Sequence, residues 1–184
     1  MSFITRMWIA LVVGVFTVSS AHGTTLRALS NKEMAQSAAV IATGKCIGLR
    51  SAWQGRTLVT IATIAVSDTI KGEAAATLTV TLPGGIDVQR RFPIASTYAG
   101  APQIAMQEEV FLFLARRPAF AGEHTVLGFS QGKFSIGHAN GQKIVSRNLA
   151  NVMLQSVAGA RRGASSDVPL EAFKKEIRGY LNGR

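Results

Sequence analysis

Val110-Phe111-Leu112-Phe113-Leu114-Ala115 is apolar at every position. Successive side chains of a strand point to opposite faces, so a strand of this composition must be covered on both sides. A sheet with apolar material above and below it is therefore expected at the centre of the fold. Arg116-Arg117-Pro118 ends the run.

Other segments share the period of two. Val40 to Leu49, Leu58 to Ile70 and Thr77 to Leu82 are rich in β-branched residues and bounded by glycine or charged turns. In the third, Leu78, Val80 and Leu82 face one way and Thr77, Thr79 and Thr81 the other, which predicts one buried and one wet face. Pro83-Gly84-Gly85 breaks that strand, and Ile86 to Phe92 is expected to return beside it as a hairpin partner. Thr125 to Phe129, Lys133 to Gly137 and Gln142 to Arg147 complete the strand set, the last two joined across Asn140-Gly141, a strong hairpin dipeptide.

Helices are expected at the two ends. Ser30-Asn31-Lys32-Glu33 has the form of a capping box, with Leu29 and Met34 placed for a hydrophobic staple and a short helix to about Ala38. Near the C-terminus Asp167 is read as the N-cap, with Pro169 in the first turn and Leu170, Phe173, Ile177 and Leu181 on one face. A weaker helical stretch is expected around Val152 to Val157, followed by a small-residue linker, Gly159 to Ser166.

Met1 to Gly23 reads as a secretory signal: Arg6, the apolar run Met7 to Val18, then small residues. That run is shorter than the ~18 to 20 apolar residues of a membrane span, and no comparable run follows. The expected organisation is a signal over 1–23, a β domain with an N-terminal helix over 24–147, and a helical C-terminal segment packed on it over 148–184. Export to the periplasm or the exterior follows. Cys46 is the only cysteine, so no intrachain disulfide is possible; its strand-like surroundings predict burial.

The formal net charge is +10. A basic surface attracts polyanions, but the basic residues come as scattered pairs, Arg90-Arg91, Arg116-Arg117, Arg161-Arg162 and Lys174-Lys175, with little aromatic interleaving. A solvated surface is the plainer reading.

Residues 128–132, GFSQG, match the G-x-S-x-G pattern of serine hydrolases. A nucleophile elbow needs a helix after the serine, then an acid and a histidine in that order. Here a strand pattern follows Ser130, and no histidine lies beyond His138. Gly128 and Gly132 are read as turn or bulge glycines between two antiparallel strands. His124, His138 and Cys46 have no metal-ligand spacing, and no cofactor motif is recognised. A phosphate-binding role for Gly84-Gly85 beside Arg90-Arg91 is rejected, because a strand pattern follows the glycines where a cradle needs a helix start. Glu108 and Glu109, adjacent on a strand, point to opposite faces and cannot act as a close pair; one is expected to meet an arginine. Asp68 is expected to face solvent.

Trp53, in the turn-like stretch Ser51 to Gly55, is either an exposed contact residue or a cover for the mouth of the β domain.

AAVIATGKC (38–46), Trp53, TIKG (69–72), LPGG (82–85), GAP (100–102), EEVFLFL (108–114) and GFSQGKF (128–134) occur in an order that resembles a group of small exported bacterial β-rich proteins of unassigned function. More distantly, the order is similar to the OB-like barrels of netrin-type modules and tissue metalloprotease inhibitors. The resemblance implies a fold and an export route, with GFSQGKF as framework. In those inhibitors an N-terminal cysteine makes the metal-directed contact; here the only cysteine is Cys46, which argues against inhibition by that means.

The expectation is a mainly β domain, a partly open OB-like barrel or sandwich of about seven strands with flanking helices. Its expected function is non-catalytic binding of a protein or envelope component through Trp53, Arg90, Arg91, Arg116 and Arg117. The alternatives are polyanion binding by the basic surface and a small hydrolase using Ser130.

Overall fold

The computed structural model describes residues 25–73, 75–117, 124–149, 153–156, 159–162 and 167–183. The expected signal, Met1 to Gly23, lies outside these residues.

The chain is mainly β. Its centre is β2 (Val40–Gln54), β3 (Thr57–Lys71), β4 (Thr77–Pro83), β7 (Glu109–Arg116) and the short β8 (His124–Val126). β2 pairs antiparallel with β3 and with β7, β3 with β4, and β7 with β8, while β4 pairs parallel with β8. These pairings form a closed ring of five strands. The parallel seam is narrow, Val80 beside His124 and Thr81 beside Thr125. Register shifts at Ile41/Ala42, Thr43/Gly44 and Cys46/Gly48 bend β2, which lets one long strand serve both neighbours.

The sheet continues outward from β7 through β9 (Lys133–Ala139), β10 (Gln142–Ser146) and the two-residue β13 (Val168–Pro169), giving eight strands where about seven were expected. Asn140 and Gly141 take φ 51° and 75° at the β9–β10 turn, as an Asn-Gly hairpin requires.

β7 is covered on both faces. Val110, Leu112 and Leu114 join Val40, Ala62 and Val80 in one core within the ring. Phe111 and Phe113 point the other way, into a second core with Met34 and Phe134 and with Phe173 and Ile177 of helix α2 (Leu170–Leu181). The ring of Phe173 lies 5.0 Å from Phe111 at 69° and 4.9 Å from Phe134. Burying each such side chain contributes about 1.5–3 kcal/mol, so α2 is held by its apolar face.

Helix α1 (Asn31–Ser37) starts at the expected capping box: Ser30 Oγ accepts from the Glu33 N–H, and Glu33 reaches back to the Ser30 N–H. Leu29 and Met34 share the second core. Lys71 Nζ donates to the Ala35 and Gln36 carbonyls at the other end, satisfying orphan acceptors of the last turn.

Several expectations are corrected. β1 (Thr25–Arg27) precedes α1 and pairs parallel with β11 (Met153–Ser156), which pairs with β12 (Gly159–Arg162). Two stretches read as helix and linker are thus strands: β11 lies beside a partner more than a hundred residues away, and β12 pairs back onto β11; residues 163–166 of the linker lie outside the described residues. Helix α2 has Pro169 as its N-cap, with no side-chain cap bond, because Val168 and Pro169 extend the sheet beside β10. Thr81 is buried, although its alternation predicted a wet face. It borders a cleft of about 380 Å³ with Val59, Leu127 and Phe129. Leu127 to Phe129, expected to continue a strand, lie in turns.

The segment after β4 also departs from expectation. β5 (Gly85–Asp87) pairs with β6 (Ile94–Ser96), not with β4. Gly84, at φ 88°, turns the chain away, and a Cβ there would stand 2.5 Å from the Ser96 carbonyl oxygen. The resulting two-stranded hairpin lies against the β2–β3 hairpin: Thr60 Oγ1 donates to the Gly84 carbonyl and Ser51 Oγ accepts from the Ile86 N–H.

Candidate functional site

β2 continues through Gln54, so Trp53 stands on a strand, opposite Leu58 and just before the turn at Gly55 and Arg56. Trp53 is 41% exposed. The indole N–H donates to Asp87 Oδ2 at 2.6 Å, and the Arg90 guanidinium lies 5.0 Å from the ring centroid. Arg90 Nε also meets Asp87 Oδ2 at 3.2 Å, while Asp87 Oδ1 accepts from the Gln89 N–H. One carboxylate thus fixes the indole, the arginine and the turn after β5. The Trp53 bond is the main cause holding the Asp87 carboxyl below its usual range.

Large apolar side chains stand exposed on the β5–β6 hairpin. Val88 is 70% and Phe92 74% exposed, with Ile86 also open to solvent and the Arg91 guanidinium 5.5 Å from the Phe92 ring centroid. Behind the hairpin is a cleft of about 290 Å³ bordered by Leu49, Thr60, Leu82, Tyr98 and Ile104. Exposed large apolar side chains on one hairpin, beside arginines and aromatic rings, have the character of an interaction surface.

The five expected site residues therefore divide. Trp53 and Arg90 are in contact, and Arg91 is on the same hairpin. Arg116 ends β7, where it pairs with His124 in the ladder, and Arg117 follows it and borders the Val59–Phe129 cleft; among the described residues no contact joins either to Trp53. Asp87, the residue that organises the group, was not anticipated. It is 34 residues from Trp53, and no local pattern links them.

GFSQG is organised around Gln131. This side chain is buried; its Oε1 accepts from the Leu29 N–H at 2.8 Å, and its Nε2 donates to the Arg27 carbonyl at 2.8 Å. The amide thus acts as a strand partner for the segment before α1. Gly128 has φ 63°, and a Cβ on Gly132 would lie 2.8 Å from the Leu127 carbonyl oxygen, so the tight turn requires both glycines. β8 and β9 are not antiparallel partners of each other: both pair antiparallel with β7 along one edge, and GFSQG is the kink between them. Ser130 is 7% exposed, its Oγ has no hydrogen-bond partner among the described residues, and β9 follows it where an elbow needs a helix.

Three acids are tied into the framework. Lys133 and Ser135 both hold Glu108, and Lys143 holds Glu109; both acids meet lysines where one arginine contact was expected. Burial pushes the Glu108 carboxyl up, but the bonds from Lys133, the Ala105 N–H and Ser135 outweigh it and hold it below the ordinary range. Asp68, expected to face solvent, is partly exposed, and it also meets Lys174 at 2.9 Å and Arg178 at 3.4 Å and joins β3 to α2. Cys46 is buried in the ring as expected, and burial raises its thiol pKa. His124 is buried with neither ring nitrogen hydrogen-bonded among the described residues, and no group of three His, Cys, Asp or Glu side chains there is placed to hold a metal. Compared with protein-family models, with curated proteins and with solved structures, the chain finds no match.

Proposed function

We propose that this chain is an exported, non-catalytic binding module that holds a protein or envelope component at the end of its five-stranded ring where Trp53 meets the β5–β6 hairpin. The ring, sealed between β4 and β8 by two residue pairs, is read as a partly open OB-like barrel. Five strands in the order β7–β2–β3–β4–β8, one parallel seam and long curled strands support that reading. Barrels of this kind carry ligands on strand-end loops, and that analogy concerns the fold, not the ligand.

The observation that carries the proposal is the Trp53–Asp87–Arg90 contact within exposed apolar surface. Holding an aromatic and an arginine in place before a partner arrives reduces the ordering cost of binding. Ser130 Oγ meets no base among the described residues, and the arginines at 116 and 117 stand apart from this group, so neither a hydrolase nor a dispersed polyanion surface has comparable support.

The test is retention of native envelope components on the immobilised protein, wild type against Trp53→Ala and Phe92→Ser. Loss of the same retained species in both variants is expected, with retention persisting at high salt. Equal retention by all three proteins would refute the assignment. Retention of acidic material only at low salt would favour the polyanion alternative.

A further inference from the structure

We infer that the β5–β6 hairpin is a membrane-docking tip whose partner is the surface of an anionic lipid bilayer. The inference rests on reading this end of the ring as the docking end, and it names the occupant.

Two features favour a bilayer over a folded partner. The first is placement. Val88 and Phe92 stand on the loop that joins β5 to β6 and, among the described residues, are the most exposed of the large apolar side chains. A protein partner would need a matching pocket for so open an apolar tip, whereas the headgroup and acyl boundary accommodates small apolar insertions. Trp53, partly exposed and with its N–H bonded, has the amphipathic character favoured at the interface.

The second is charge. Arg90 and Arg91 lie between Val88 and Phe92 in the chain, and Arg56 occupies the turn next to Trp53. Asp87 is the carboxylate of this group, and it is committed to Trp53 and Arg90. Among the described residues, Arg56 and Arg91 have no ion pair, so the tip presents uncompensated positive charge around apolar side chains. The acids Glu108, Glu109 and Asp68 are by contrast each paired with a cation elsewhere on the fold. A shallow apolar insertion is weak alone and becomes effective when joined to attraction for anionic headgroups.

The experiment is co-sedimentation of the chain from Thr24 onward, which carries every described element, with vesicles of equal parts phosphatidylglycerol and phosphatidylcholine and with phosphatidylcholine alone. Binding to the anionic vesicles is expected, much reduced on the neutral ones. Val88→Ser with Phe92→Ser should weaken it about tenfold or more, and Arg56→Gln or Arg91→Gln about fivefold each at low salt. All four positions are exposed, and matching thermal unfolding verifies that the variants remain folded. No sedimentation of the wild type, or sedimentation of the Val88/Phe92 variant equal to it, overturns the inference. If vesicles do not bind but a detergent-solubilised envelope protein is retained and lost on Phe92→Ser, the bilayer falls and the docking end stands. If neither ligand depends on Trp53 or Phe92, both fall.

Discussion

The indole N–H of Trp53 donates to the Asp87 carboxylate across 2.6 Å, tying the tip of the β2–β3 hairpin to the end of β5. The same oxygen receives Arg90. Loss of this one carboxylate would release an aromatic ring and a guanidinium together.

Asp87 titration should therefore be visible at Trp53. The folded carboxyl lies below its ordinary value of 3.8, so the contact is fully formed above that value and is lost as pH falls through the depressed one. Tryptophan emission followed from pH 7 to pH 2 is expected to change only at the acid end. Asp87→Asn should abolish that step, and Trp53→Phe identifies the emitting ring. A step that persists in Asp87→Asn belongs to another group.

Gln131 and Ser130 are neighbours with opposite expected sensitivities. Gln131→Ala leaves the Leu29 N–H and the Arg27 carbonyl without their partner, at about 1–3 kcal/mol for a buried group so exposed. Ser130→Ala removes a buried hydroxyl that bonds to nothing among the described residues, so stability should hold or rise. Urea unfolding of the two variants checks both signs.

Glu108 contributes acid sensitivity. Its folded pKa is depressed, so the stability it adds is present above the ordinary carboxylate range and disappears as pH falls below it. Glu108→Gln should destabilise the protein at pH 7 by about 1–3 kcal/mol, because Lys133 loses its anion in a largely buried site. The variant should also show a shallower decline between pH 5 and pH 3, measured by denaturant midpoints.

Cys46 should be inert in the native protein. It lies within the ring, and burial raises its pKa, so both access and thiolate are limited. Reaction with a thiol-specific disulfide reagent is expected only on unfolding. Rapid modification under native conditions would require this part of the ring to open.

Much of the fold was legible where neighbours in sequence determine it. The all-apolar β7, the Ser30–Glu33 capping box, the Asn140-Gly141 turn and the Leu170–Phe173–Ile177 stripe each express a local rule, and each occurs as read. The failures are pairings decided at a distance. A strand was read from Thr125, but nothing local shows that β8 ends at Val126 or that it closes the ring against β4. β11 is a strand because β1 lies beside it, and β5 leaves β4 because Gly84 turns the chain. The site follows the same division: Trp53 and Arg90 stood out by residue type, whereas Asp87 is ordinary until the fold brings it to the indole. In GFSQG the serine matched a pattern, while the buried amide of Gln131 makes the bonds.

Hydrogen exchange of the backbone, with and without native envelope material, tests the docking end most directly. Binding there predicts added protection confined to residues 50–56 and 85–98, and its loss in Phe92→Ser. Protection centred on β9, β10 or α2, with residues 85–98 unchanged, would contradict a docking end built on Trp53 and Asp87.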